Sequence, residues 1–348
     1  DTLMGRPIAD IDIATPVAPL EVMEILRRAH IKVVPTGLDH GTVTAVIGDR
    51  HFEITTLRRD VETDGRRAKV AFTDDWAIDA RRRDFTMNAL FLSADGTVFD
   101  HVGGIKDLVE RRVRFVGDPS TRIKEDVLRI LRFFRFHAHY GVGLPSPEGR
   151  DACRALAASL TTLSAERVAA ELLKLLAAPD PVPVIALMIE DGVLPVLLPE
   201  ASRVARLATL VAIDPAIDPL RRLAALLEVE EVGARAVGER LRLSHRQMTR
   251  LVAMAAPSWK IDLAADERTQ RRALYHLGAE TYRDLVLLMA NEPQPALLAL
   301  AEGWEAPVFP LKGADLLRAG MAPGRPVGKC LAELKLWWEE GDFRADRA

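Results

Sequence analysis

Asp10-Ile11-Asp12-Ile13-Ala14-Thr15 alternates polar and apolar side chains, and reading it as a strand decides the fold. On a strand, residues i and i+2 leave the same face. Asp10 and Asp12 therefore point one way, and Ile11 and Ile13 turn towards a core. Two carboxylates on one face repel each other. They persist together where a cation sits between them, and hard divalent ions prefer oxygen ligands. The competing reading is a pair of exposed aspartates on an edge strand.

Downstream, Leu20–His30 has helical apolar spacing, and Val-, Ile- and Thr-rich runs follow at 32–35, 42–47 and 51–57. The last two read as a hairpin across Gly48-Asp49-Arg50. It carries a third carboxylate, Glu53, close enough in the expected sheet to join the Asp pair. Three carboxylates on adjacent strands can hold two divalent ions about 3.5–4 Å apart, the arrangement that serves in-line displacement at phosphorus. A solvated strand glutamate is the plainer reading.

Residues 58–83 are dense in charge of both signs, without periodicity, and read as a mobile surface loop. A helix is expected around 84–90, then a hairpin of 89–93 and 97–101 turning at Asp95-Gly96. Arg81-Arg82-Arg83 would stand at the start of that helix, where the dipole disfavours positive charge, so an anion is expected there. Asp84 and Asn88, four residues apart, would share a face and read a ribose hydroxyl. A solvated basic patch is the alternative.

From residue 118 the chain reads as almost wholly helical. Asp118-Pro119 starts a helix to about Tyr140. On it Asp126, Arg129, Arg132 and Arg135 recur every third residue, opposite Val127, Leu128, Ile130, Leu131 and Phe134. Residues 103–140 hold nine Lys/Arg against five Asp/Glu, a local excess in a chain whose net charge is only -3. A polyanion site must therefore be local. An Asp–Arg pair at i, i+3 can complement a base edge, with the carboxylate accepting from an exocyclic amine and the guanidinium donating to ring acceptors. The usual alternative is a salt-bridged surface helix. Further helices are expected at about 149–159, 164–177, 181–191, 202–213, 217–228, 232–241, 244–255, 267–276, 279–290 and 293–303. Two more follow in 312–348. Gly103-Gly104 reads first as a close-packed turn, and Ser164–Glu171 as the start of an N-capped helix.

The histidines show no zinc spacing, and no phosphate-loop or dinucleotide fingerprint occurs. No run of 18 apolar residues suggests a membrane span. Cys153 and Cys330 form no motif and suggest free thiols in a reducing compartment, the cytoplasm.

In order and spacing, Leu3–Thr15, His40-Gly41-Thr42-Val43, Glu53–Arg58, Arg82–Ala89, Asp100–Gly104, Glu125–Arg129 and Ser164–Leu176 resemble the motifs of class II tRNA nucleotidyltransferases. These are the CCA-adding enzymes, with bacterial poly(A) polymerases as relatives. The resemblance covers 1–178; beyond 180 it rests on helical character and the Phe343-Arg344-Ala345-Asp346 ending. It implies an α+β fold: a small nucleotidyltransferase head (1–116), a helical neck with a nucleotide-selecting helix (117–178), and a helical, tRNA-binding body and tail (179–348). It implies template-independent addition of CMP and AMP to the tRNA 3′ end from CTP and ATP. Asp10 and Asp12 would bind Mg2+, with Glu53 as the supporting catalytic carboxylate. Arg83, Asp126, Arg129, Arg132 and Arg135 would contact the incoming nucleotide, and Asp84 and Asn88 would sense its ribose. The family's Gly-Gly-x-Val-Arg segment belongs just ahead of Asp1, so upstream residues are expected. An A-adding or poly(A) polymerase variant would use the same site. A non-catalytic RNA-binding remnant would keep only the basic neck. The charged 58–80 segment favours CCA addition, since passing from C to A needs a movable element. Oligomeric state stays open.

Overall fold

The computed structural model describes residues 2–8, 10–64, 67–214 and 216–346. Asp1, Ala9, Gly65 and Arg66, quoted above, lie outside the described residues. The chain divides into two compact units, Asp1–Pro199 and Glu200–Ala348.

The first unit opens on a four-stranded sheet of order β1-β4-β3-β2. Its elements are β1 (Asp12–Thr15), α1 (Pro19–Arg28), β2 (Lys32–Gly37), β3 (Thr42–Ile47) and β4 (Arg50–Thr56). The β3–β4 hairpin is antiparallel, as expected, and β1 runs parallel to β4. Helix α1 presents Val22 and Met23 to Val43, Val33 and Ile54. This buries one face of the sheet and leaves the other to the carboxylates. Helix α1 packs on β2 and β3, so it does not cover β1 at the edge. Ile11 and Ile13, expected in the core, are consequently 52% and 40% exposed.

Contrary to the loop expected over 58–83, residues 58–64 and 67–72 are strands. β5 (Arg58–Asp64) and β6 (Arg67–Phe72) pair with each other and with no other described sheet. The charge of β5, Arg58-Arg59-Asp60-Val61-Glu62-Thr63-Asp64, hides the strand from an apolar-pattern reading. α2 (Trp76–Arg81) follows, capped by Asp75, whose side chain accepts from the Ala77 and Ile78 amides. The hairpin of β7 (Leu90–Leu92) and β8 (Val98–Asp100) is where the Asp95-Gly96 turn placed it.

Gly103-Gly104 does more than turn the chain. Gly103 (φ +80°) is the N-cap of α3 (Gly104–Val109). The Asp100 carboxylate accepts from the amides of Val102, Gly103, Gly104 and Ile105. A Cβ on Gly104 would stand 2.1 Å from the Thr86 carbonyl oxygen. Gly104→Ala is therefore expected to cost about 1–3 kcal/mol by overpacking against backbone, read as a lowered urea midpoint. Ordinary stability in that variant would show that the contact can relax.

The expected single helix at 118–140 is two: α4 (Pro119–Glu125) and α5 (Arg129–Tyr140). Asp126 is extended (φ -149°, ψ 106°), and its side chain accepts from the Leu128 amide. This local bond competes with helix continuation. The first unit ends with α6 (Pro147–Leu156), α7 (Ala165–Leu176), α8 (Val182–Glu190) and α9 (Val193–Leu197). Phe85, Phe115, Phe133 and Phe134 are buried side by side, fastening the turn after α2 to α5.

The regular elements of the second unit are helices among its described residues, with one isolated bridge between Ala201 and Leu227. The helices are α10 (Val204–Ile213), α11 (Pro219–Leu226), α12 (Glu231–Arg240), α13 (His245–Ala255), α14 (Glu267–Met289), α15 (Pro295–Gly303), α16 (Gly313–Arg318) and α17 (Arg325–Glu340). The two helices expected over 267–290 meet at Gly278 (φ 74°, ψ 160°), a kink within α14. Arg221 and Arg250 share the buried Asp284 carboxylate, with Asp214 and Asp218 completing the network. Tyr282, Leu274 and Val286 belong to a second apolar core beside it.

Candidate functional site

The β1–β4 register sets Asp12 directly opposite Glu53. Paired residues of neighbouring strands share a face, so these two carboxylates project side by side from the sheet surface away from α1. Both are exposed, and among the described residues neither they nor Asp10 have a hydrogen-bond or ion-pair partner. Asp10 lies two residues before β1 begins, and among the described residues no group of three potential ligands is already gathered around a point. The donors are all hard oxygens, uncompensated by any cation among the described residues. That chemistry fits a divalent ion of the magnesium or calcium type.

The arginine cluster is placed otherwise than the dipole argument assumed. Helix α2 ends at Arg81, with Arg82 as its C-cap, and Thr86–Asn88 is a short 3-10 turn. The arginines follow a helix C-terminus, where the dipole favours them. Their local partner is Asp79, only 1% exposed. One Asp79 oxygen accepts from Arg82 Nε and Nη2 at 2.9 and 2.6 Å, the other from Arg83 Nε and Nη2 at 3.2 and 3.1 Å. The Arg58 amide also donates to Asp79, at 3.2 Å. Arg83 further donates to the Asn88 carbonyl at 3.2 Å, and its guanidinium lies 4.9 Å from the Phe91 ring centre. About a third of its side chain stays exposed, available to an anion.

Asp84 and Asn88 do meet, with Asn88 Nδ2 donating to Asp84 Oδ1 at 3.1 Å, although they sit on a turn rather than an α-helix. Arg132, reaching from α5, clasps the other Asp84 oxygen through Nε and Nη2 at 2.8 and 2.5 Å. Burial alone would push the Asp84 carboxyl up. The Arg132 charge and the bonds from Asn88, Arg132 and the Phe85 amide outweigh it and hold Asp84 below the usual carboxylate range. Arg135 donates to Glu171 of α7 at 2.6 Å, and Arg132 lies 3.9 Å from the same carboxylate.

The Asp126–Arg129 pair is not a side-chain pair. Arg167 holds both Asp126 oxygens at 2.9 and 3.1 Å, while Arg129 pairs with Glu125 at 2.6 Å and donates to the Arg122 carbonyl at 2.8 Å. Arg122, buried at the end of α4, reaches back to the carbonyls of Arg82 and Arg83. The break at Asp126 thus lies on a polar track running from the α2 arginines through Arg122 and Glu125 to Arg129.

Three residues in this arrangement escaped the sequence reading. Asp79 could have been found, since it stands three and four residues before Arg82 and Arg83 on one helix. Arg122 and Glu171 act over 39 and 36 residues and left no local trace.

The chain is similar to known proteins in sequence and in fold. Residues 1–114 match the family model described as the poly A polymerase head domain. Residues 145–204 match that of a probable RNA- and SrmB-binding site of polymerase A. The chain is 33% identical to "CCA tRNA nucleotidyltransferase 1, mitochondrial" of Danio rerio, over all of this chain and 83% of that protein. It is 32% identical to the "CCA-adding enzyme" of Levilactobacillus brevis, over 96% of this chain and 86% of that one. The crystal structure of the Bacillus stearothermophilus CCA-adding enzyme in complex with CTP superposes with a TM-score of 0.81 at 27% identity, covering 98% of this chain and 87% of that one.

Proposed function

This chain belongs to the CCA-adding tRNA nucleotidyltransferase family, and from that premise we propose how its own residues carry the reaction. It is a nucleotidyltransferase that adds CCA to tRNA. The observation that carries the catalytic assignment is Asp12 opposite Glu53, both exposed and without a cationic partner among the described residues.

In our reading Asp10 and Asp12 hold Mg2+, with Glu53 in support. A cation bound there would supply charge neutralisation at the nucleotide phosphates and ease deprotonation of the attacking hydroxyl. The tRNA 3′-hydroxyl attacks the α-phosphate of CTP or ATP in line, and pyrophosphate leaves. Arg83, oriented by Asp79, donates to the incoming nucleotide. Asp84 and Asn88, locked together and held by Arg132, meet the ribose hydroxyls. Asp126 retains lone pairs beyond those Arg167 uses and accepts from the exocyclic amine of C or A, while Arg129 donates to ring acceptors. Arg132 keeps an exposed portion for the nucleotide. Arg135, mostly buried against Glu171, meets it at its remaining edge. No nucleic acid template is needed, because the selecting groups are side chains. We assign residues 1–116 to the head, 117–178 to the neck and 179–348 to the tRNA-binding body and tail.

Among the described residues no helix is long and apolar enough to cross a membrane. Both cysteines are free, and burial pushes the Cys153 thiol up, which makes it inert. We read a reducing compartment, the cytoplasm; the vertebrate relatives carry "mitochondrial" in their names.

The decisive experiment offers labelled CTP or ATP to tRNA ending in the discriminator base, in C or in CC. C addition to the first two and A addition to the third is expected, and A addition alone would mark an A-adding enzyme. In the same assay Asp126→Ala is expected to lower the preference for CTP over UTP about 10- to 100-fold, the value of one good base-edge contact. UTP lacks the amine that Asp126 accepts from, so an unchanged kcat/KM ratio would remove Asp126 from base selection.

A further inference from the structure

We propose that the pocket bounded by Arg203 and Arg206 in the second unit is an oxyanion site for a backbone phosphate of the bound RNA. The inference rests on the RNA-substrate reading above and adds a contact that neither the catalytic site nor the comparisons assign.

Arg206 is half-buried on the first turn of α10, yet among the described residues its guanidinium has no carboxylate or hydrogen-bond acceptor. Its neighbours in this unit behave differently. Arg221 and Arg250 are satisfied by Asp214, Asp218 and Asp284, and Arg240 takes both oxygens of Glu200. Burial, and then the charge of Arg203, pull the Arg206 pKa below its ordinary value, which marks an uncompensated cation. Leaving such a charge unpaired is costly, and the helix dipole at this end adds to the cost. The first turn of α10 carries no acidic residue to offset it.

Arg203 and Arg206 line one cavity of about 90 Å³ together with Leu227, Val229, Leu251 and Met254. That space admits a tetrahedral oxyanion. Its exposed lining is more polar than apolar, which suits a charged ligand. The nearby acid is Glu228, exposed, paired with Arg203 at 3.3 Å and accepting from Ser202 at 3.0 Å; it does not line the cavity. A phosphodiester is the oxyanion that a tRNA partner presents in quantity. The stretch matched by the RNA-binding family model ends at residue 204, within this same turn.

The test uses the full chain with Arg206→Gln and Arg206→Glu, measuring tRNA affinity against salt concentration, KM for CTP, and binding of inorganic phosphate. Arg206→Gln is expected to weaken tRNA binding about 3- to 10-fold at low salt and to lower the log–log salt slope by about one, the signature of one lost phosphate contact. Arg206→Glu is expected to weaken it further, and thermal unfolding guards against misfolding. Unchanged affinity and slope in both variants would overturn the site, leaving Arg206 as packing. A raised KM for CTP, or loss of inorganic phosphate binding, with tRNA affinity intact would assign the pocket to a free anion and equally overturn it. If wild-type protein adds no nucleotide while tRNA binding still depends on Arg206, the catalytic reading fails and this site stands.

Discussion

Asp12→Asn is expected to abolish nucleotide incorporation, by about 10³-fold or more, while leaving the protein as stable as before or slightly more so. The two halves of that outcome come from one geometric fact. Asp12 faces Glu53 across a parallel strand pair, and neither carboxylate has a cationic partner among the described residues. Like charges opposite each other on a sheet cost about 0.2–1 kcal/mol, so neutralising one relieves repulsion. The same neutralisation removes a hard anionic ligand, and an amide is a poor substitute at a divalent ion. Charge stabilisation at the reacting phosphate is a large part of this chemistry. Incorporation of labelled CMP into tRNA, tRNA binding and a urea melt measured together decide the matter. Near-normal incorporation would exclude Asp12 as a metal ligand. A clear loss of stability would mean that the carboxylate serves the fold.

Asp79→Ala is expected to damage both stability and catalysis. Asp79 is buried, and it accepts from Arg82, Arg83 and the Arg58 amide at once. Removing one partner from a buried ion pair leaves the other charge uncompensated, at about 3–5 kcal/mol. Because a third of the Arg83 side chain is exposed, solvent recovers part of that, and about 3 kcal/mol is the expected loss in urea unfolding. Freed from Asp79, Arg83 loses its orientation, and KM for CTP and ATP should rise. Asp79→Asn keeps the shape and one acceptor edge, and should fall between wild type and Asp79→Ala in both readouts. A loss under about 0.5 kcal/mol for Asp79→Ala would show that the guanidinium groups find other partners. Normal KM values with reduced stability would confine Asp79 to the fold.

These residues also show where local reading succeeds. The β3–β4 and β7–β8 hairpins, and the ladder of helices after 147, carry their signals within a few residues, as turn chemistry and apolar period. The failures share a cause. Ile11 and Ile13 alternate correctly, but alternation does not say whether a helix covers that edge of the sheet. The 118–140 run looked continuous because helical period survives a break, and the break comes from Asp126 bonding its own backbone. The sequence places the 81–83 arginines at the wrong end of a helix because α2 is short and follows a strand pair dense in charge.

From sequence alone came the α+β head ahead of a helical remainder, the motif order that resembles CCA-adding enzymes, and the candidate residues themselves. Those properties are local: each residue's chemistry, its spacing to near neighbours and the order of segments are all written along the chain. Tertiary structure alone decided that Asp12 faces Glu53, 41 positions away, that Arg132 clasps Asp84, and that Asp126 and Arg129 turn to Arg167 and Glu125 instead of each other. Strand register and long-range ion pairs arise from how elements pack, and packing is settled by the whole fold at once. A spacing can nominate a pair of charges, but only the folded chain determines which charge each one meets.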